Sequence, residues 1–235
     1  MLSLKKKSAV LALSTSLALV LAACGSDGGS DGGSTGTGSE AQQSVSKEPV
    51  AQIDQLSGQQ TAVTLDAGFV EGITGLGLAP GVVGDATFDG TAGKVAFPIT
   101  GGNVTYYDPA SGVEPYVQGR IEHFQSGMTL SKGDTTVTLR NFVVDPGESM
   151  LFGKVLVNGQ PFPESGDEVP LFFLDGSTLK PLAEGSAPNT AVLEGTTVSL
   201  TKTAADALNM VFETDALAEF FKVGIAEITV DVPQS

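Results

Sequence analysis

One cysteine, one histidine and three tyrosines are the residues of this chain best equipped to bond a metal, a cofactor or an acyl group. They are Cys24, His123, Tyr106, Tyr107 and Tyr116. A structural zinc site needs four thiolate or imidazole ligands, so with one of each such a centre is close to excluded. Cys24 follows Leu21-Ala22-Ala23, behind a basic stretch at Lys5 to Lys7 and an apolar run from Ala9 to Leu21 broken at Ser14 to Ser16. That order reads as a secretory leader, 1–23, ending in a lipobox. Lipidation of Cys24 is the expectation, against an ordinary leader followed by a free thiol. Two acyl chains (diacylglycerol, or palmitate-type) would hold the protein stably at a membrane, which one would not. The modification would also consume the sole thiol, leaving none for disulfides, metal binding or nucleophilic attack.

His123 lies in Val117-Gln118-Gly119-Arg120-Ile121-Glu122-His123-Phe124. On a strand, Val117, Gly119, Ile121 and His123 share one face, and Arg120, Glu122 and Phe124 share the other. The imidazole therefore keeps aliphatic company. It reads either as a half-buried histidine bonded to backbone or to a tyrosine, or as a ligand or general base, for which its neighbour Glu122 would face the wrong way. No Gly-x-Ser-x-Gly occurs, so a hydrolytic triad has no support. Gly90-Thr91-Ala92-Gly93-Lys94 fails as a phosphate loop, since Phe88 replaces the first glycine and Val95 the Ser or Thr. Asp85 with Asp89 and Asp145 with Glu148 lack EF-hand spacing and read as solvated turns. Paired glycosidase carboxylates would be distant in sequence, and nothing selects a pair. Tyr106, Tyr107 and Tyr116 flank the turn Asp108 to Gly112, where they would form a binding rim or cover a hydrophobic edge.

The elements that must position these residues follow from composition. The chain has 235 residues, is 41% hydrophobic and has a mean hydropathy of +0.15, which excludes a disordered protein. Removal of the leader takes the 12 basic residues to nine, against 27 acidic ones, a net charge of −18. Such a surface repels phosphate backbones and anionic headgroups, so no nucleic-acid partner is expected. Residues 24–49 are Gly-, Ser- and Asp-rich and read as a flexible tether. From 50 to 235, turn dipeptides at short intervals separate Val-, Thr- and Phe-rich runs. Strands are expected at Thr61–Leu65, Lys94–Ile99, Asn103–Tyr107, Val117–Phe124, Thr135–Val144, Leu151–Val157, Val169–Leu174, Ala191–Leu200 and Ile225–Val232. Asn158-Gly159 predicts a hairpin whose return strand Pro161 and Pro163 confine to an edge. A short helix is expected over Asp66–Leu76. Thr203–Val223 predicts one helix or a broken pair, capped at Thr203 and at Thr214 or Asp215, with Lys222 and Gly224 suiting a carboxy-terminal turn. The fold class is mostly β: an antiparallel sandwich or barrel-like domain with one or two helices packed on it, the main one near the C-terminus.

Several runs resemble a known family. Val95-Ala96-Phe97-Pro98-Ile99-Thr100-Gly101-Gly102, Gly119-Arg120-Ile121-Glu122-His123 with Ser126-Gly127-Met128-Thr129-Leu130, and Val137-Thr138-Leu139 leading into Asn141-Phe142 are similar to the exported bacterial HtaA-type domain. Val198-Ser199-Leu200-Thr201, then Ala204, Ala205 and Ala207 to Phe220-Phe221 and Gly224, resembles its closing strand, helix and strand. The resemblance covers most of 60–232. It implies a surface module that captures haem in a groove near the closing helix. An early tyrosine would ligate iron, a histidine would support that tyrosine, and a late Phe-Tyr pair would pack on the porphyrin. His123 matches the histidine and Phe220 the phenylalanine. Phe221 stands where the pair has tyrosine, and 66–76 holds Phe69 and no tyrosine. A phenyl ring stacks on haem but donates no oxygen to iron.

The sequence thus supports an exported, lipid-anchored, non-enzymatic binding or surface-interaction module. The alternative is haem capture or relay through His123, Phe220, Phe221 and one of Tyr106, Tyr107 or Tyr116. An exoenzyme would instead show two internal carboxylates facing each other across a cleft.

Overall fold

The computed structural model describes residues 47–232. The leader, Cys24 and most of the tether lie outside the described residues. In chain order the elements are β1 (Ala51–Ile53), β2 (Gln60–Leu65), α1 (Ala67–Gly75), β3 (Ala79–Gly84), β4 (Thr87–Asp89), β5 (Lys94–Pro98), β6 (Gly101–Tyr106) and β7 (Val117–Lys132). There follow β8 (Thr135–Asp145), β9 (Met150–Val157), β10 (Gln160–Phe162), β11 (Val169–Asp175), β12 (Ala183–Glu184), β13 (Thr190–Leu200), α2 (Lys202–Phe212) and β14 (Lys222–Asp231). All strand pairs are antiparallel, in one curled, half-barrel sheet ordered β1-β6-β7-β8-β9-β11-β13-β14-β2-β5-β4. The mostly β fold class expected from turn spacing and alternation is the one found.

β7 is twice as long as expected because it serves two partners. Its first half, Val117 to Glu122, pairs with β6, and its second half, Ser126 to Ser131, pairs with β3. At the exchange the β7–β8 register jumps from His123↔Phe142 to Gly127↔Arg140, leaving three residues of β7 opposite Asn141 alone. Gln125 and Asn141 both adopt positive φ there, and the Gln125 amide donates to Asn141 Oδ1 at 3.2 Å. Such a bulge bends a strand and re-aims its side chains. Gly84 sits against this bend, where a Cβ would run into the Gln125 carbonyl.

The two helices pack against different strands, α1 against β14 and β3 and α2 against β11 and β8. Asp66 caps α1 by accepting from Gly68 N at 2.9 Å, and Phe69 and Ile73 turn inward. The closing helix is a single one. Thr201, not Thr203, is its cap, accepting from Ala204 N while donating to the Pro170 carbonyl on β11. No second helix follows among the described residues, because Asn209 pins the chain beyond α2 by bonding both N and O of Leu217. Thr214 makes a local turn with Ala216 N, Asp215 caps nothing, and Lys222 and Gly224 belong to β14. β1, β3, β4 and β12 lie in Gly- or Pro-containing or very short runs without clear alternation. The Asn158-Gly159 hairpin forms as expected, and β10 pairs with β9 alone.

The core centres on a run of edge-to-face rings, Phe97–Phe142 at 5.2 Å and Phe142–Phe172 at 6.5 Å, joining β5, β8 and β11. Phe142 is among the largest fully buried side chains. Phe142→Ala should lower stability by about 3–5 kcal/mol, read as a fall in the urea midpoint with little change in slope.

Candidate functional site

The inward residues of the curled sheet form cross-strand rungs. Leu193, Ile228, Thr61 and Phe97 make one across β13, β14, β2 and β5. Thr196, Ala226, Val63 and Val95 make the next. On the opposite wing Val144, Leu151 and Phe172 form a third across β8, β9 and β11. Between the wings lies a cavity of about 350 Å³, lined chiefly by these aliphatic and aromatic side chains. Small inward residues at one rung of β13 and β14 leave room for it. Thr196 and Ala226 are short, and Gly224 must be glycine because a Cβ would run into the Thr64 carbonyl. Phe97, Phe142 and His123 on the floor are buried, whereas Val63, Leu193 and Ile228 are only half-buried, so the space opens to solvent.

His123 lies on the floor with 1% of its surface exposed. Its Nδ1 is 3.0 Å from the Pro98 carbonyl oxygen and its Nε2 is 3.2 Å from Thr61 Oγ1. A carbonyl only accepts, so Nδ1 carries the proton and donates to Pro98, while Nε2 accepts from the Thr61 hydroxyl. The ring is thus neutral and satisfied. Burial pushes its pKa down to about 4, against smaller opposing effects of the backbone bonds. The expected hydrogen bond to backbone is present, and the second partner is threonine rather than tyrosine.

The tyrosines separate. Tyr116 lines the cavity mouth, and its hydroxyl donates to the Gly176 carbonyl at 3.2 Å. Burial, followed by the charges of Tyr106 and Glu114, raises its pKa, so the phenol stays protonated at neutral pH. Tyr106 packs behind it edge to face at 6.0 Å, covering the hydrophobic edge. Tyr107 joins Tyr116 only through backbone, 2.7 Å from its N to the Tyr116 carbonyl. Phe220 and Phe221 do not line the cavity. Phe221 meets Phe69 of α1 at 6.0 Å, and Phe220, 59% exposed, meets Phe173 at 5.5 Å.

Two mouth residues had no chemical signal in the sequence. Asp175 was legible only as part of a turn dipeptide. Its carboxylate accepts from the Ser177 amide at 2.8 Å, and the bonds from Ser177 hold it below the usual carboxylate range. Glu114 stands exposed beside Tyr116. Among the described residues no group of three or more His, Cys, Asp or Glu side chains is placed to hold a metal, and no helix is long and apolar enough to cross a membrane.

Fold and site define a curled antiparallel β domain with an apolar interior cavity and an acidic mouth. No known family matches the chain, and no curated protein does. Among solved structures it is similar to the C-terminal domain of HtaA from Corynebacterium glutamicum, at 14% identity and a TM-score of 0.46 over 77% of this chain and 98% of that one. It is also similar to the N-terminal domain of the same protein, at 14% identity and a TM-score of 0.45 over 76% and 99% of the two chains. The haem-binding protein HtaB of that organism matches at 10% identity and a TM-score of 0.40, over 77% and 96%. The HtaA-type likeness read from the sequence therefore has counterparts among solved structures, while the chemistry of the cavity rests on this chain's own residues.

Protonating His123 would charge a buried ring and force the Thr61 hydroxyl to turn from donor to acceptor. An unfolded histidine titrates near 6.5 and the folded one at about 4, so the unfolded chain takes up the proton first. Stability is therefore full above pH 6.5 and falls as pH drops through 4, by about 3 kcal/mol in all. His123→Phe should lose this part of the slope in urea titrations run across that window. Thr61→Val, which orphans Nε2, should cost about 1–3 kcal/mol at neutral pH.

Proposed function

We propose that the chain is an exported lipoprotein, acylated at Cys24, whose β domain is a non-enzymatic module that binds a small apolar ligand on the extracytoplasmic face of the cell membrane. The observation that carries the binding role is the cavity. Folded interiors pack to the density of organic crystals, and a half-open apolar space of about 350 Å³ exposes aliphatic surface to water at a cost. Its size falls at the lower end of small-molecule pockets, which run roughly 300–1,000 Å³. Polar groups converge only at the mouth and at the satisfied His123.

Among the described residues the cavity does not bring together a catalytic set. The imidazole has no free nitrogen, so it neither abstracts nor delivers a proton without breaking the fold's own bonds. A glycosidase needs a carboxylic acid raised in pKa to protonate its leaving group, and Asp175 at the mouth is shifted the other way.

The donor set does not fit an iron porphyrin. Both nitrogens of His123 are engaged, the Tyr116 hydroxyl is given to Gly176, and Phe220 and Phe221 stand off the cavity. No tyrosine hydroxyl is hydrogen-bonded to His123 among the described residues.

N-phenyl-1-naphthylamine, a neutral probe whose fluorescence rises in apolar surroundings, should bind the purified soluble domain saturably. Leu193→Phe, which fills a half-buried rung, should weaken that binding at least tenfold. Absence of saturable binding would remove the cavity reading. Haemin titrated into the same domain should keep the spectrum of free haemin, and a shifted Soret band lost in Tyr116→Phe would restore the haem alternative. Mass spectrometry of the native product should find Cys24 at the amino terminus carrying acyl chains; a bare thiol or an uncut leader would remove the anchor.

A further inference from the structure

Among the described residues the charged side chains lining the cavity are Glu114 and Asp175, both acidic, and no lysine or arginine lines it; the nearby Lys180 is paired with Glu194. Resting on the cavity reading, we infer that the ligand is an amphiphile with an apolar body and a cationic head, an alkylammonium type, seated with its tail among the rungs and its head at the mouth. The tail side of this assignment follows from the lining: Val63, Leu151, Leu193 and Ile228 are half-buried apolar surfaces that a chain would cover.

The head side follows from the mouth. Asp175 is kept ionised by the bonds from Ser177, so it presents a fixed negative charge at neutral pH. Glu114 adds a second carboxylate on the Tyr116 side, and the Gly176 carbonyl beside them is an acceptor. Tyr116 spends its donor on that carbonyl and remains a lone-pair acceptor. The mouth therefore offers acceptors and negative charge and has little with which to meet an anion. A carboxylate or phosphate head would have to desolvate against like charge, whereas an ammonium would find partners already in place. The excess of acidic residues over the whole chain biases approach in the same direction.

The test is competition against N-phenyl-1-naphthylamine by decylamine, decanol and decanoate, which share one tail and differ in head. At neutral pH and low salt, decylamine should displace the probe at a concentration about tenfold or more below decanoate, with decanol between. The gap should shrink in high salt. In Glu114→Gln combined with Asp175→Asn, decylamine should weaken and decanoate tighten, an opposite movement that a folding defect would not produce. Glu114 is exposed, so Glu114→Gln alone gives the same readout if the Asp175 substitution disturbs its turn. Saturable probe binding with decanoate equal to or better than decylamine, or a preference unmoved by the substitutions, overturns the head-group assignment and leaves the cavity reading intact. Failure of the probe to bind at all overturns both.

Discussion

The two ends of the curled sheet meet at one imidazole. Along the hydrogen-bonded path β7 and β5 are separated by six strands, yet the chain leaves β5 at Pro98 and reaches β6, beside β7, by Gly101. His123 donates from β7 to the Pro98 carbonyl at that corner and accepts from the Thr61 hydroxyl on β2. Thr100 completes the seam, its amide and hydroxyl both bonded to the Glu122 carbonyl and its hydroxyl oxygen accepting from Phe124 N. One neutral ring thus ties β7 to the paired strands β2 and β5, which the ladder alone leaves far from it.

The closure explains why the cavity lies where it does. β7 bends at the 124–126 bulge just beyond His123, whose ring lies against Phe97, and Phe97 leads on through Phe142 to Phe172. Aromatic bulk is thereby concentrated at the floor. Among the inward residues of β13 and β14, Thr196, Ala226 and Gly224 are small and leave space between the wings.

Turn signals and the alternation of apolar and polar residues were enough to find nine strands and the face that His123 shares with Ile121, because each depends on neighbours in sequence. That alternation could not show that one edge of β7 is shared by β6 and β3, since the residues that make the exchange, Gln125, Ser126 and Asn141, act through a bulge whose register is set by distant strands. Nor could it anticipate Thr61 as the partner of His123, 62 positions away. The same limit explains the closing helix. Its apolar spacing runs on past Phe212, but Asn209 captures Leu217 by a contact across a turn, and tertiary bonding overrides periodicity there. The tyrosines looked equivalent beside their turn, and only the position of Gly176 distinguishes Tyr116 from the other two.

Phe220 sharpens what kind of recognition this domain supports. It holds a left-handed backbone, φ 61°, unusual for a bulky residue, and keeps its ring exposed against Phe173. Its amide donates to the Leu200 carbonyl, and Leu200 N returns a bond to the Phe221 carbonyl, so the bend is fixed from both sides by β13. The ring is positioned by backbone, as a scaffold positions a contact surface, and carries no donor or acceptor of its own. The same holds inside the cavity, where the histidine is saturated and the phenol is spent on a carbonyl. With His123 and the Tyr116 hydroxyl engaged by the fold itself, the binding proposed above would discriminate through shape, apolar area and the sign of charge at the mouth, for which the rungs, the floor and the Glu114–Asp175 rim are the available features.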